Sequence, residues 1–378
     1  MTDCLIQNCR IFDGSTISDA FSDIAVADGI VRRIAPAGSF SPEEPVNAVF
    51  DAKGAIASVG FIDMHTHVYP LWEGGVYPEV SFFPSGITSA VDAGSAGCET
   101  LASGIEALAS CRADIRFFIN FSAAGLATLR AFPEYIDPAH ANPARFGRLI
   151  DRFGDKIAGV KIRMGKETVR GLGAAPLIKA AEIAHSLGLP LMVHTTNPAI
   201  PMDEICSHLA PGDYLSHAFH GHGMTILGDD GHVLPGVREA KARGVLFDVG
   251  DANWHMSLDV LRAAMADGIF PDTISTDMTQ NNQFRKNRVS LPRTMSKIMA
   301  AGMPCEQVLR AVTLTPGSRL GLPAALHEGE TADITLFALR PLQETLTDGN
   351  GAAITAESSF VPLLTMKRGQ IVWCDCTM

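Results

Sequence analysis

No stretch of the 378-residue chain gathers five or more basic residues, and 41 acidic against 30 basic side chains leave a formal net charge of −11. Nucleic acids and anionic membrane surfaces select the opposite sign, so neither is expected as a partner. No run of 18 apolar residues occurs, which removes a membrane-spanning helix of the usual kind. The opening residues Met1-Thr2-Asp3-Cys4-Leu5-Ile6 lack the basic-then-apolar order of a secretory signal. The eight cysteines are scattered, and only Cys374 and Cys376 stand close together. Neither a disulfide framework nor a cysteine-rich zinc site is expected from that spacing, and a cytoplasmic protein with reduced thiols fits best. No internal repeat is visible. No glycine-rich phosphate loop follows a strand-like run, which argues against a doubly wound dinucleotide-binding sheet.

What is present is an ordinary globular composition, 47% hydrophobic and 19% charged, on a chain long enough for one large and one small domain. Residues 1–55 read as short strands, with Asp28-Gly29 between apolar runs as a hairpin signal and a Ser/Pro/Glu-rich loop over 39–45. From about residue 56, β-branched runs alternate with helical stretches. Strands are expected over 60–64, 88–92, 115–120, 158–162, 191–194, 214–217, 245–249 and 273–277, and helices over 101–110, 144–153, 176–187, 237–243 and 258–267. Eight such units predict an α/β fold, a (β/α)8 TIM barrel over 56–324. Residues 325–378 return to short strands, with a turn at Lys367-Arg368-Gly369. The two strand-rich ends, 1–55 and 325–378, are expected to meet in a small β-sandwich.

The most informative stretch is Gly60-Phe61-Ile62-Asp63-Met64-His65-Thr66-His67. Residues two apart on a strand face the same side, so His65 and His67 can reach one ion together. Alone, the pair fits the solvated face of an edge strand equally well. Later strand ends supply Lys161, His194, His217 and Asp277, and in a barrel the carboxyl ends of strands carry the chemistry. A lone histidine there commonly satisfies a buried carbonyl, and an aspartate caps the next helix. A lysine on a central strand is harder to place without a partner. Jointly, imidazoles and a carboxylate at one barrel mouth suit a divalent ion of the zinc type. Asp63, one pleat before His65, could orient a ligand from behind.

These residues resemble the metal-dependent amidohydrolase superfamily in its binuclear form with a carboxylated lysine. The matching pieces are Phe61 to His67, Gly159-Val160-Lys161, His194, His217 and Asp277, with Thr313-Leu314-Thr315-Pro316-Gly317 like the family's closing segment. The resemblance spans nearly the whole chain. It implies two divalent metal ions, zinc or a relative, one on His65, His67 and Asp277 and a more exposed one on His194 and His217. N6-carboxylysine at Lys161 would bridge them. A free ammonium cannot ligate a cation, and only the neutral amine adds CO₂, which burial favours. The implied reaction is hydrolysis of an amide or ester by a metal-bridging hydroxide, with Asp277 as the catalytic proton acceptor.

Residues 86–97 and Val160-Lys161-Ile162-Arg163 look like the dihydroorotase-like amidohydrolase and deacetylase subgroup. That implies deacylation of a small N-acyl or O-acyl carboxylic acid, with cyclic amide hydrolysis of the dihydroorotase or hydantoinase kind as the alternative. Dihydroorotases hold the substrate carboxylate with an arginine two residues after the second histidine, where this chain has Tyr69. Arg163 shares the face of Lys161 and is the expected clamp for a small-molecule substrate bearing a carboxylate, a salt bridge to a loop acid being the competing reading. His220 and His255 follow strands six and seven and are expected to bind substrate. Trp72 and Tyr77 could form an aromatic wall. A mononuclear deaminase would lack Lys161 and carry an HxxE pattern, which is absent near strands five and six. A scaffold that had lost its chemistry would not keep all six ligands. Homo-oligomerisation is left open.

Overall fold

The computed structural model describes residues 2–41, 45–285 and 287–375. Cys376 and the middle of the expected polar loop, 42–44, lie outside the described residues. Both ends of the chain enter one eight-stranded sheet: Thr2–Ile11, Ser22–Ala27, Ile30–Pro36, Val46–Asp51 and Ile56–Val59 from the front, Ile334–Arg340, Ser359–Lys367 and Gln370–Cys374 from the back. The join is antiparallel pairing of Ile56–Val59 with Ile334–Arg340, so this sheet extends past residue 55. The Asp28-Gly29 hairpin forms as its sequence requires. A two-residue turn that matches strand twist needs positive φ at both central positions, and φ is 53° at Asp28 and 74° at Gly29. Arg368 and Gly369, at 49° and 77°, repeat this between the last two strands. A separate apolar core of Ile6, Ile24, Val26, Ile334, Leu336 and Leu364 lies against this sheet.

Between these ends runs a curled parallel sheet of seven strands in sequential order: Phe61–Thr66, Ile87–Asp92, Asp114–Asn120, Ile157–Arg163, Leu191–His194, Tyr214–Ser216 and Leu246–Asp248. Every neighbouring pair is parallel. Their β-branched and apolar runs are almost wholly buried, as strands covered on both faces must be. Helices Leu101–Ala107, Pro143–Phe153, Ala175–Ser186, Pro235–Arg243 and Leu258–Ala266 fall where the apolar period predicts them. None of the helices is long and apolar enough to cross a membrane among the described residues.

The expected eighth strand, 273–277, is not a ladder strand. It makes isolated parallel bridges instead, Thr273 to Asp248 on the seventh strand and Met278 to Thr66 on the first. The reason is local: the Thr276 N–H donates to the Asp63 carboxylate at 3.1 Å rather than to a backbone carbonyl, and Asp277 takes φ 49°. The segment still spans both sheet edges, because Val249 N–H donates to Thr273 O and Asp277 N–H to His65 O. For the same reason the sixth strand stops at Ser216: His217 has φ 59°.

Candidate metal centre

His65, His67, His194 and His217 stand at or just past the ends of parallel strands, Lys161 two residues before the end of Ile157–Arg163 and Asp277 on the bridging 273–278 segment, and the curl of the sheet brings them together. His65 and His67 present Nε2 to one oxygen of Asp277 at 3.4 and 3.0 Å. Lys161 Nζ lies 3.4 Å from His65 Nε2. The His217 ring is 4.8 Å from that of His65 and 4.4 Å from that of His194. A seventh side chain joins them: His255 Nε2 is 3.3 Å from the second Asp277 oxygen, and its ring is 4.2 Å from His217. Two sets of donor atoms lie within 4.8 Å of one another, His65 with His217 and Asp277, and His194 with His217 and His255. His217 is thus common to both sets, and His255, expected only as a pocket residue, packs among the candidate ligands.

The donor orientation fits a metal. His65 Nδ1–H donates to Ser216 Oγ at 2.7 Å, and that hydroxyl donates onward to Asp248 at 3.1 Å. His217 Nδ1–H donates to Gly250 O at 2.9 Å. Nδ1 of His67 meets Ser95 Oγ at 2.7 Å, and Nδ1 of His255 meets Thr196 Oγ1 at 2.8 Å. In His65 and His217 the proton therefore sits on Nδ1 and leaves a lone pair at Nε2, the arrangement that orients metal-bound histidines, whereas the hydroxyl partners of His67 and His255 fit either tautomer. His217 Nε2 is buried and has no hydrogen-bond partner among the described residues. A buried lone pair with nothing to accept from is costly unless a cation takes it.

Burial sets the proton inventory. It pulls His65, His194 and His217 well below the ordinary imidazole range, helped by neighbouring cations, and brings His255 down to about 4. All four are therefore neutral, the ligating form, at physiological pH. Burial works against the charge on Asp277, but the hydrogen bond from His67 and the field of the Lys161 ammonium help to outweigh it and hold the carboxyl low. Burial also draws the Lys161 amine down to about 8. Lys161 has no carboxylate within 4.0 Å among the described residues, an unusual setting for a buried ammonium. Asp63, raised to about 7 by burial, ties the first strand to the 273–278 segment through Thr276 Oγ1–H at 2.6 Å and also accepts from the His65 N–H of its own strand at 3.2 Å.

Two glycines make the cluster possible. Gly250, at φ 51°, lets its carbonyl reach His217, where a Cβ would overlap the imidazole. Gly94, at φ 87°, faces Lys161, and a Cβ there would sit 2.7 Å from the lysine Cβ. Non-glycine φ values in the left-handed region at His217 and Asp277 are the kind of strain that collects at working sites.

Beside the cluster opens a cavity of about 550 Å³ walled by Arg163, Glu167, His194, His222, Trp254 and His255, among others. Arg163 is at its edge, but its guanidinium is held by the buried Glu134 at 2.6 Å, which also accepts from Asn120. His220 is not among the cavity-lining residues: its ring is fully buried, and its Nδ1 accepts from the His222 N–H. Trp72 packs edge-on to His67 at 5.4 Å, whereas Tyr77 is exposed. Tyr69 turns into the core and donates to Thr100 O at 3.1 Å. Sequence reasoning missed Ser95, Ser216, Asp248, Thr196 and Glu134. Ser216 and Asp248 stand at strand ends and were findable by position, but Glu134 sits in a loop without any pattern.

Residues 56–372 match the amidohydrolase family. A deacetylase of Agrobacterium fabrum is 32% identical over 359 residues, covering 92% of this chain and 86% of that protein. A crystal structure of an adenine deaminase superposes with a TM-score of 0.89 at 26% identity, covering 99% of this chain and 100% of that one. A crystal structure of a dihydroorotase gives the same TM-score, 0.89, at 27% identity over 99% and 98% of the two chains. With a family match across most of its length, on the residues that form the cluster, the chain belongs to the amidohydrolase family.

Proposed function

We propose that this amidohydrolase removes the acyl group from a small N-acyl or O-acyl carboxylic acid; its Agrobacterium relative is named a deacetylase. The observation that carries the reading is the meeting of His65, His67, Lys161, His194, His217 and Asp277 at strand ends, with a ligand lone pair at His217 Nε2 left without a partner. These six residues would hold two divalent ions of the zinc class, Lys161 as its N6-carboxylate. Such ions supply Lewis acidity that activates water and polarises an acyl oxygen. We read the seven-stranded sheet and the 273–278 segment as a (β/α)8 barrel, and the eight-stranded sheet of the chain ends as a flanking β-sandwich. The division then falls near residue 59 rather than 55, because Ile56–Val59 pairs within the terminal sheet.

The chain's own groups have distinct tasks. Asp277, ionised at neutral pH, accepts the proton lost when water adds to the acyl carbon, and returns it to the departing nitrogen as the C–N bond breaks. His255, on the opposite carboxylate oxygen, holds Asp277 in place and faces the cavity. Arg163 supplies the positive edge against which a substrate carboxylate is set. Glu134 keeps that guanidinium in one orientation and reduces its field, so the carboxylate contact positions the substrate more than it tightens binding. A cyclic amide is the second reading, supported by the likeness to a dihydroorotase structure. Against it stands Tyr69, which offers the cavity no cation.

The test is a hydrolysis panel on zinc-loaded protein: N-acetyl amino acids, O-acetyl hydroxy acids, dihydroorotate and adenine. Release of acetate from an N-acetyl acid is expected. Ring opening of dihydroorotate with no acetate release would overturn the first reading in favour of the second.

A further inference from the structure

The loop after the seventh strand, 250–257, carries two determinants of the centre: Gly250 O, which fixes His217, and His255, which fixes Asp277. Left alone it would not hold its shape, because Ala252 and Asn253 are consecutive non-glycine residues at φ 46° and 55°. What holds it comes from far along the chain. Lys297, 2% exposed on helix Leu291–Ala300, donates to Asp251 at 2.7 Å, to Asn253 Oδ1 at 3.1 Å and to Thr347 O at 3.0 Å. All three ammonium protons are used, two on the loop and one on the hairpin Glu344–Thr347/Ala353–Ala356.

That hairpin lies outside the terminal sheet, and its tip is built onto the same loop. Asp348 accepts from the Leu258 N–H at 2.8 Å, and the Gly349 N–H donates to Met256 O at 3.0 Å. A Cβ on Gly349 would overlap the Trp254 carbonyl, and one on Gly221 would overlap the Asn350 amide. Trp254 in turn stacks on His222 at 4.3 Å and 20°, and both wall the cavity. The tip therefore sits against both walls of the cavity's rim.

We propose that the 344–356 hairpin, latched through Lys297, is a positioning element of the metal centre, fixing the 250–257 loop and with it His217, His255 and the Trp254 wall. Lys297 is thus a positioning residue, acting through Asp251. Coupling between two sites is reciprocal, so a metal held by His217 and Asp277, the two donors this loop positions, must stabilise the hairpin in return. The metal arm of this inference rests on the metal-dependent reading above; the loop arm does not.

The experiment is amide hydrogen exchange on the full chain with and without Zn²⁺, and on Lys297→Met and Gly349→Ala. In the wild type, zinc is expected to slow exchange at 250–257 and 347–352 together. Protection of the loop with the hairpin unchanged would overturn the proposal. Lys297→Met is expected to speed exchange in both segments and raise the zinc dissociation constant, by less than the roughly 10–100-fold that losing a direct outer partner of a ligand costs. The Co²⁺ absorption bands should shift, which a general loss of stability would not cause. Unchanged zinc affinity and an unchanged cobalt spectrum would refute it. Gly349→Ala displaces the tip without touching the ion pair, and should give the same pattern more weakly. If wild-type protein takes up no zinc, the metal reading fails separately, and faster exchange at 347–352 with none at 250–257 in either variant would overturn the loop arm.

Discussion

Replacing Gly250 with alanine tests whether backbone geometry sets the donor at His217. The residue sits at φ 51°, and an alanine there costs roughly 1–2 kcal/mol in the left-handed region. The new Cβ would also overlap His217 Nδ1 and stand 3.3 Å from His65 Nδ1. Ordinary carbon contacts need about 3.5–4.0 Å, so the imidazole must retreat by roughly 1 Å. Retreat breaks the 2.9 Å bond to Gly250 O, worth about 1 kcal/mol. The sum, about 2–3 kcal/mol, lowers Tm by roughly 3–4 °C in a chain of this size. The effect on the site is larger in proportion: zinc affinity should fall about 10–100-fold, and a misplacement near 1 Å can cost about 10²-fold in rate. Gly173→Ala is the control, because Gly173 has φ 59° with nothing within 4 Å of a Cβ. It should carry the backbone cost alone. Zinc titration by calorimetry and a thermal melt decide the matter. Equal zinc affinity in the two variants would show that the close approach of Gly250 to His217 does not set the donor.

Lys161→Ala should lose most bound metal and activity, with partial recovery in millimolar short carboxylic acids that replace the carbamate; full zinc content without them would remove the bridging role. Asp277→Asn should keep part of its metal while kcat falls about 10²–10⁴-fold, the usual share of acid–base catalysis; near-normal turnover would refute the proton transfer. The third case concerns the junction of the two sheets, where Asp114 accepts from Lys367 at 2.6 Å and from Arg368 at 2.7 Å. Burial opposes ionisation of Asp114, but those two cations win and hold its carboxyl below the ordinary range. A depressed carboxyl stabilises the fold above its unfolded value of about 3.9 and loses that contribution as pH falls through the folded value. Asp114→Asn should therefore cost about 1–2 kcal/mol at neutral pH in denaturant melts. The gap from wild type should stay level above roughly pH 5 and narrow below roughly pH 4. A gap undiminished at pH 3 would rule out the ion pairs as its source.

The sequence alone determined the strand rhythm, the hairpins and the candidate ligands. Those rest on local physics: alternation puts His65 and His67 on one side of a strand, Asp28-Gly29 can adopt two positive φ values, and apolar runs separated by amphipathic stretches pair in parallel. It was also enough to mark Tyr69 as a departure from dihydroorotase. Tertiary structure decided the rest, because contacts between distant residues leave no period. It turned the expected eighth strand into a bridging segment, since the Asp63 carboxylate claims the Thr276 N–H. It drew His255 in among the candidate ligands and left His220 off the cavity wall, two histidines that look alike as loop residues in the sequence. It paired Arg163 with Glu134, 29 positions away, and so restrained the cation that the sequence offered as a free clamp. The candidate donors can thus be picked out in the chain, while their orientation is set by Ser95, Ser216, Thr196 and Gly250 O. A lone pair can be aimed only by groups that the fold brings to the other side of the ring.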